Sequence, residues 1–282
     1  MKEKPTYREL LEESLPHESS PFYQQNADYA FSAIERGNAI ADVMERYAPV
    51  RGSRILDLGC GEGGVAIAIA LRGGEVTALD ASPARIERMK VWASEHGVDV
   101  KGVAADALEN GLPGGHFDII VCNDFMEHID RPQALAYEID RLLKDGGHLY
   151  LSNQNRLSIF GFLRDPHLSL FGITWMPRWL AKVYVEKIRR RARTYTVFTI
   201  PTHGYLKRIF SKTRVELTPI PSDTPAEKIL NPHLMKPSAK RSLLLGAKNL
   251  GMTRLALWFL GSRFNQFFLD MLTYVGKKQE RR

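Results

Sequence analysis

Cysteine is nearly absent: Cys60 and Cys122 are the only two among 282 residues. Two thiols exclude a disulfide framework and a cysteine-built metal site, and they suit a reducing compartment. Long uncharged apolar runs are absent too, whereas a bilayer span needs about 20 such residues. The most apolar tract, residues 243–275, is interrupted by Lys248, Arg254, Arg263 and Asp270 and broken by Gly246, Gly251 and Gly261. Residues 1–20 carry charges throughout and no apolar signal segment, so the expected location is cytoplasmic, with membrane association only by surface contact. Internal repeats and low-complexity tracts are missing as well.

What is present is a chain that is 44% hydrophobic, enough to bury a core in one large domain or a domain with an insert. Its charge is divided unevenly. Residues 1–150 hold 15 Lys+Arg against 25 Asp+Glu, and residues 151–282 hold 24 against 7. A basic second half suits an anionic membrane face, a nucleic acid or an acidic substrate.

Along the first half, short apolar runs alternate with helical patterns, the mark of a parallel sheet covered on both faces. The runs predict strands at 54–58, 75–80, 99–104, 117–123 and 148–153, and the patterns predict helices at 64–71, 83–96 and 131–143. Asp145-Gly146-Gly147 reads as the turn before the fifth strand. After Asn155 an irregular aromatic segment leads into a basic helix at about 177–193. Regular structure is expected again at 194–200, with a helix near 205–210, a strand near 214–219, a proline-rich loop at 220–237 and a last strand at 267–275. The fold class expected is therefore α/β, a doubly wound, mostly parallel sheet with an inserted helical cap. Its expected parts are an N-terminal helical lid at 1–36, a ligand-binding domain at 37–155 and 194–282, and an aromatic, basic insert at 156–193.

The strongest motif is the run from Ile55 to Gly64, an apolar strand entering a glycine-rich turn that opens a helix. Glycines at 59, 61 and 63 let the backbone take positive φ and approach a ligand closely. Gly59, Gly61 and Gly64 also spell the G-x-G-x-x-G of dinucleotide sites, so charge has to separate the candidate cofactors. Asp57 and Glu62 flank the turn; two carboxylates there would repel a pyrophosphate and favour the ammonium and sulfonium of S-adenosyl-L-methionine (SAM). Asp80, at the end of the second strand, is placed to accept hydrogen bonds from ribose hydroxyls in either cofactor. Asp106, in line with these strand ends, serves either an adenine amino group or a helix as its N-cap.

With these residues in view, the chain resembles the class I SAM-dependent methyltransferases, whose D-x-G-x-G-x-G fingerprint stands at Asp57 to Gly63. The resemblance implies a seven-stranded sheet with an antiparallel last strand. It implies that Asp57, Gly59 and Gly61 bind the methionine end, Asp80 the ribose, and Asp106 with Ala107 the adenine. Cys60, Gly63, Ala81 and Asn123 adjoin these positions and complete the expected cofactor set. Residues 117–130 resemble the ubiquinone-biosynthesis O-methyltransferases of the type 11 group, which carry E-x-x-E-H after the fourth strand; here the residues are Asp124, Glu127 and His128. Asn155-Arg156 and Phe198-Thr199-Ile200-Pro201 also match that group. Asp124 stands where the group has glutamate, and the long stretch after Pro219 departs as well.

Methyl transfer is an in-line displacement at an activated carbon, so protein groups must align the partners and take a proton from the acceptor. His128 is the first candidate base, with His203 and His167 behind it; the alternative for His128 is a structural role at the strand end. No metal is expected, and the fallback ligand set is Asp124, Glu127 and His128. In the insert, Trp179, Leu180, Val183, Tyr184 and Ile188 fall on one helical face and Arg178, Lys182, Arg189 and Arg193 largely elsewhere. That pattern fits either an interfacial helix on anionic lipid or a lid over the substrate. The reading favoured is O-methylation of a hydrophobic or membrane-associated small molecule such as a quinone precursor, polyketide or glycolipid. The alternatives are an RNA methyltransferase using the basic half, disfavoured by the lack of a base-flipping tetrapeptide, and a non-enzymatic SAM-binding scaffold.

Overall fold

Strands that are apolar on both sides must be covered on both faces, and helices on either side of a parallel sheet are the common solution. The computed structural model describes residues 5–15, 23–165, 168–192, 194–220, 242, 245–246, 248–251 and 271–280. Three helices come first: α1 (Tyr7–Ser14), α2 (Tyr23–Phe31) and α3 (Ala33–Met44). An alternating unit follows: β1 (Arg54–Leu58), α4 (Gly64–Leu71), β2 (Glu75–Asp80), α5 (Pro83–Glu95), β3 (Lys101–Ala104), β4 (Phe117–Asn123), α6 (Pro132–Leu142) and β5 (Leu143–Gln154). The short helices α7 (Ile159–Leu163) and α8 (Arg178–Val183) lie in the insert, before α9 (His203–Phe210), β6 (Val215–Pro219) and β7 (Met271–Lys278).

Among the described residues the strands form one seven-stranded sheet in the order β3-β2-β1-β4-β5-β7-β6. Pairs among β1 to β5 are parallel, and β7 runs antiparallel to β5 and β6. The chain winds outward from β1 through β2 to β3, then crosses back to β4 on the other side of β1. Adjacent connections leave in opposite directions there, which opens a crevice at the C-terminal ends of β1 and β4 where ligands bind in such sheets.

Each sheet face has its own core. Ile55, Val121 and Tyr150 pack with Ile67 of α4, Met89 of α5 and Ile40 of α3. On the opposite face Leu56, Ile120 and Leu151 pack with Leu135 of α6, Phe210 of α9 and Tyr274 of β7. Ala33 and Gly37 of α3 lie directly against Gly64 and Ala68 of α4, so α3 is part of the sheet's cover and the expected lid boundary after residue 36 falls inside it. Tyr7 of α1 stacks on Trp92 at 4.1 Å between ring centroids. The insert builds a third, smaller core from Leu170, Ile173, Ala181, Val185, Tyr195, Val197 and Ile200.

Several expectations change. The expected turn at Asp145 to Gly147 lies within β5, which starts at Leu143 and shifts register against β4 between Phe117 and Ile119. The basic helix is interrupted: α8 passes into a π-helical turn at Tyr184–Ile188, and Arg190 takes φ +48°, ending it before residue 193, which lies outside the described residues. Its buried positions are Ala181 and Val185, which face the insert core, while Trp179 and Ile188 of the expected apolar face are 70% and 64% exposed. Residues 194–200 form no strand; they cross the sheet edge irregularly and deliver the Phe198 N–H to the Glu127 carbonyl at 2.7 Å. The last strand begins at Met271. The part of the earlier expectation at 267–270, the loop at 221–237 and His167 lie outside the described residues.

At the end of the sheet remote from the crevice, Lys278 of β7 is buried and donates to the carbonyls of Asp140 (2.6 Å) and Leu143 (2.7 Å), with the carboxylates of Asp140 and Asp145 at 3.5 Å. Breaking such a buried arrangement from one side leaves its acceptors desolvated and uncompensated. Lys278→Met is therefore expected to lower unfolding stability by about 3 kcal/mol in urea titration. A change under about 0.5 kcal/mol would show that this end of β7 is not held by the lysine.

Candidate active site

The crevice floor is the turn after β1. Gly59 has φ +79°, and a Cβ there would sit 2.2 Å from the Phe125 ring, so the backbone has to be bare for Phe125 to close over it. Gly61 has φ +55°, and a Cβ there would meet nothing within 4 Å, which leaves open space beside the turn. One position thus needs glycine for packing, the other for its conformation and for access.

Asp57 sits beneath this turn. It is buried, its Oδ2 has no hydrogen-bond partner, and burial, opposed by a backbone hydrogen bond from Ala66 and reinforced by the charge of Asp80, pushes its pKa up to about 7. A buried carboxyl group with an unsatisfied oxygen is suited to a cationic ligand group. Asp80 accepts from the Gly61 N–H at 3.0 Å and the Ser82 N–H at 2.9 Å, and Arg85 lies 3.6 Å away. Asp80 therefore ties the two strand ends together.

Glu62 corrects the charge expectation. Arg88 grips it with two hydrogen bonds, Nε to Oε2 at 2.8 Å and Nη2 to Oε1 at 2.6 Å. A bidentate guanidinium offsets that carboxylate. The negative character of the turn consequently rests on Asp57 and Asp80. Cys60 adds no nucleophile, because burial and then the charges of Asp57 and Asp80 push its thiol far above the usual range.

Beyond β2, Ala81 is exposed; beyond β3, Ala107 is buried, and Asp106 is exposed with its Oδ1 accepting from the Leu108 N–H at 2.7 Å. That bond closes a turn; no helix starts at Asp106, so the N-cap weighed for it is not what the structure shows. At the end of β4, Asn123 Nδ2 donates to Asp124 Oδ2 at 3.3 Å, and Asp124 takes φ +50° while its N–H reaches the Ser152 carbonyl at 2.9 Å. His128 follows in a 3-10 turn over 126–128 with Nδ1 3.3 Å from the Thr196 carbonyl, and Glu127 is fully buried. His203 lies apart: its Nδ1 is 2.7 Å from the Tyr274 hydroxyl on β7, three strands from β1. Among the described residues no three His, Cys, Asp or Glu side chains form a group able to hold a metal, so Asp124, Glu127 and His128 do not gather as the fallback set supposed.

Three contributors carried no signal in the one-dimensional pattern. Tyr29 of α2 donates from its hydroxyl to Asp124 Oδ2 at 3.1 Å. Arg36 of α3 stacks 3.8 Å over the Tyr29 ring, donates to the Tyr29 carbonyl and Ser32 Oγ at 2.8 Å each, and keeps a buried Nε without a partner. Phe125 covers Gly59. All three reach the crevice from separate elements, and only the packing of α3 on α4 and of the β4 end on the glycine turn brings them there.

Comparisons with known proteins give the family and the fold. A family model described as a methyltransferase domain matches residues 32–213, more than half of the chain. The chain is 34% identical over 132 residues to a ubiquinone biosynthesis O-methyltransferase of Chromobacterium violaceum, covering 46% of this chain and 56% of that one. It thus spans about half the length of the curated relatives it matches. The S-adenosylmethionine-dependent methyltransferase structure from Mesorhizobium loti has a TM-score of 0.55 at 15% identity, covering 87% of this chain and 100% of that one. The Haemonchus contortus phosphoethanolamine N-methyltransferase 2 structure has a TM-score of 0.54 at 18% identity, covering 99% and 61%. At such identities the structural likeness establishes the fold.

The Asp57 carboxyl generates a pH prediction. Folding raises this acid above its unfolded value, so it contributes stability below about pH 4 that is withdrawn as pH rises through about 7. A cation bound beside it needs the ionised form, so binding of a sulfonium ligand should strengthen with pH by up to about tenfold per unit below pH 7 and release a proton. Calorimetry in two buffers of different ionisation enthalpy reads that proton. Asp57→Asn should flatten the profile; an unchanged slope would remove Asp57 from the cation's surroundings.

Proposed function

The chain belongs to the methyltransferase-domain family, and on that premise we propose that it transfers a methyl group from SAM to a hydroxyl of a hydrophobic small-molecule acceptor. The observation that carries this reading is the unsatisfied, buried Asp57 carboxyl under an open glycine turn, a pairing suited to a compact cation. In this reading Asp57 and the turn at Gly59, Cys60, Gly61 and Gly63 hold the methionine end. Arg36, with its buried unpartnered Nε, takes the carboxylate, since a guanidinium is the natural partner for that group. Asp80 serves the ribose through the lone pairs its backbone contacts leave over. Ala81, Asp106, Ala107 and Asn123 border the base.

When bound, SAM supplies a methyl group on a sulfonium, already activated for displacement. The chain's share is alignment, exclusion of water and removal of one proton. His128 is the candidate base. Its Nδ1–H directed at the Thr196 carbonyl leaves Nε2 as the basic nitrogen, the tautomer that proton removal needs. Tyr29 bonded to Asp124 draws α2 across the end of β4, which covers the reacting region. The similarity to ubiquinone biosynthesis O-methyltransferases supports oxygen as the acceptor atom.

For the insert we propose contact with an anionic membrane surface. Trp175, Trp179, Val183 and Ile188 are exposed together with Arg178, Lys182, Lys187, Arg189 and Arg190, and apolar side chains among cations suit a lipid interface. Phe162 packs against Trp175 at 4.3 Å and Phe171 at 4.7 Å, which gives the aromatic side a fixed base. Among the described residues no helix is long and apolar enough to cross a membrane.

Three measurements test these proposals. Incubation with tritiated SAM and an organic cell extract should label a product. His128→Ala should slow that labelling by about 10²–10⁴-fold with SAM affinity retained, and a normal rate would return His128 to a structural role. Replacing Arg189, Arg190 and Arg191 by Gln should abolish co-sedimentation with phosphatidylglycerol vesicles, each arginine contributing on the order of 1 kcal/mol. Wild-type protein that ignores such vesicles at low salt would make the insert a lid.

A further inference from the structure

Asn153, the penultimate residue of β5, is fully buried, and neither its Oδ1 nor its Nδ2 finds a hydrogen-bond partner among the described residues. A buried carboxamide left unpaired at both ends costs about 1–3 kcal/mol per group, so native folds rarely keep one without a use. Its surroundings can be read from the strand register. Leu149 and Leu151, at the same alternation as Asn153, lie in the core facing α6 and α9, and Leu272 stands directly opposite Asn153 on β7. Tyr274 stands opposite Leu151 on that same face and carries His203 on its hydroxyl at 2.7 Å. On the other side Cys122 of β4 pairs with Leu151. The Cys122 thiol is raised first by burial and then by the charge of Glu127, so that acidic group is close to the end of β4. Asn153 therefore lies at the C-terminal edge of the sheet between the Glu127 side and the His203–Tyr274 pair, one strand beyond the β1–β4 crevice.

We infer that Asn153 is an acceptor-reading residue, whose carboxamide donates to and accepts from an uncharged hydroxyl-bearing portion of the methyl acceptor. This rests on the methyl-transfer reading above. A carboxamide offers one acceptor and one donor group side by side, so it matches a hydroxyl, which has both. Glu127, fully buried just beyond β4, disfavours a carboxylate or phosphate nearby, because an anion would meet a second acidic group in a desolvated place. The apolar neighbours Leu151 and Leu272 favour a hydroxyl mounted on a hydrophobic frame.

Asn153→Leu tests this, because leucine has nearly the same branching and no polar atoms. If the amide is kept for a ligand, the unliganded variant should melt roughly 2–6 °C above wild type, since a buried cost has been removed. A midpoint lowered or unchanged overturns the inference, because the amide would then be serving the fold directly or through water. The same variant should bind SAM with unchanged affinity by calorimetry and transfer label into its product with kcat/KM reduced about 10–100-fold. Transfer at the wild-type rate also overturns it. Failure of wild-type protein to bind SAM would sink the methyl-transfer reading instead, and the thermal comparison, which needs no ligand, would still judge Asn153.

Discussion

Asp57 carries a carboxyl group into a buried place where its described partner is the backbone of Ala66 in α4. Leu56 and Leu58 on either side anchor β1 in one core and Ile55 in the other, so the strand cannot rotate to expose the acid. The chain must then turn sharply over it to begin α4, which only glycine-rich backbone can do with Phe125 pressed on Gly59. Everything else at the crevice follows from that turn. Asp80 is fixed by the Gly61 N–H, α3 seats against Gly64, and Arg36 and Tyr29 come with it.

Charge is distributed around the turn with a purpose that composition hides. Of its acidic groups, Glu62 is locked by Arg88 and Asp80 lies near Arg85, whereas Asp57, the most deeply buried, is the one with an oxygen left unpaired. Desolvation raises the Asp57 carboxyl to about 7, so a cation bound beside it would be expected to draw off its proton. This is the reverse of a phosphate-binding glycine loop, where the same backbone geometry would present N–H groups to an anion.

The acceptor side is assembled differently. On the proposed reading it has no motif comparable to the glycine turn and would draw on the ends of β4 and β5, on the segment 194–200, which bonds to the Glu127 carbonyl, and on β7. The insert has its own core and turns other apolar side chains outward, and it is tied to the end of β5 by Gln154, whose Nε2 donates to Asp165 Oδ1 at 3.1 Å.

The strands β1, β2 and β4 and the glycine turn were legible in the sequence because each is a local pattern: period, punctuation and spacing within some ten residues. The basic helix was legible in composition only. Its interruption at the π-helical turn and the burial of Ala181 and Val185 in place of the larger side chains depend on what Leu170, Tyr195 and Ile200 leave room for. β5 was misjudged at its start and β7 at its C-terminal end because register between strands, not residue preference, sets how far pairing runs. The neutralisation of Glu62 by Arg88, the reach of Tyr29 to Asp124 across 95 positions and the isolation of the Asn153 amide are all contacts between distant segments. By itself the sequence determined which residues form the sheet and its glycine turn, since backbone conformation answers to neighbours along the chain. Only the tertiary structure decided which of their charges stay unpaired, because desolvation and partnership are properties of what packs against a group from elsewhere.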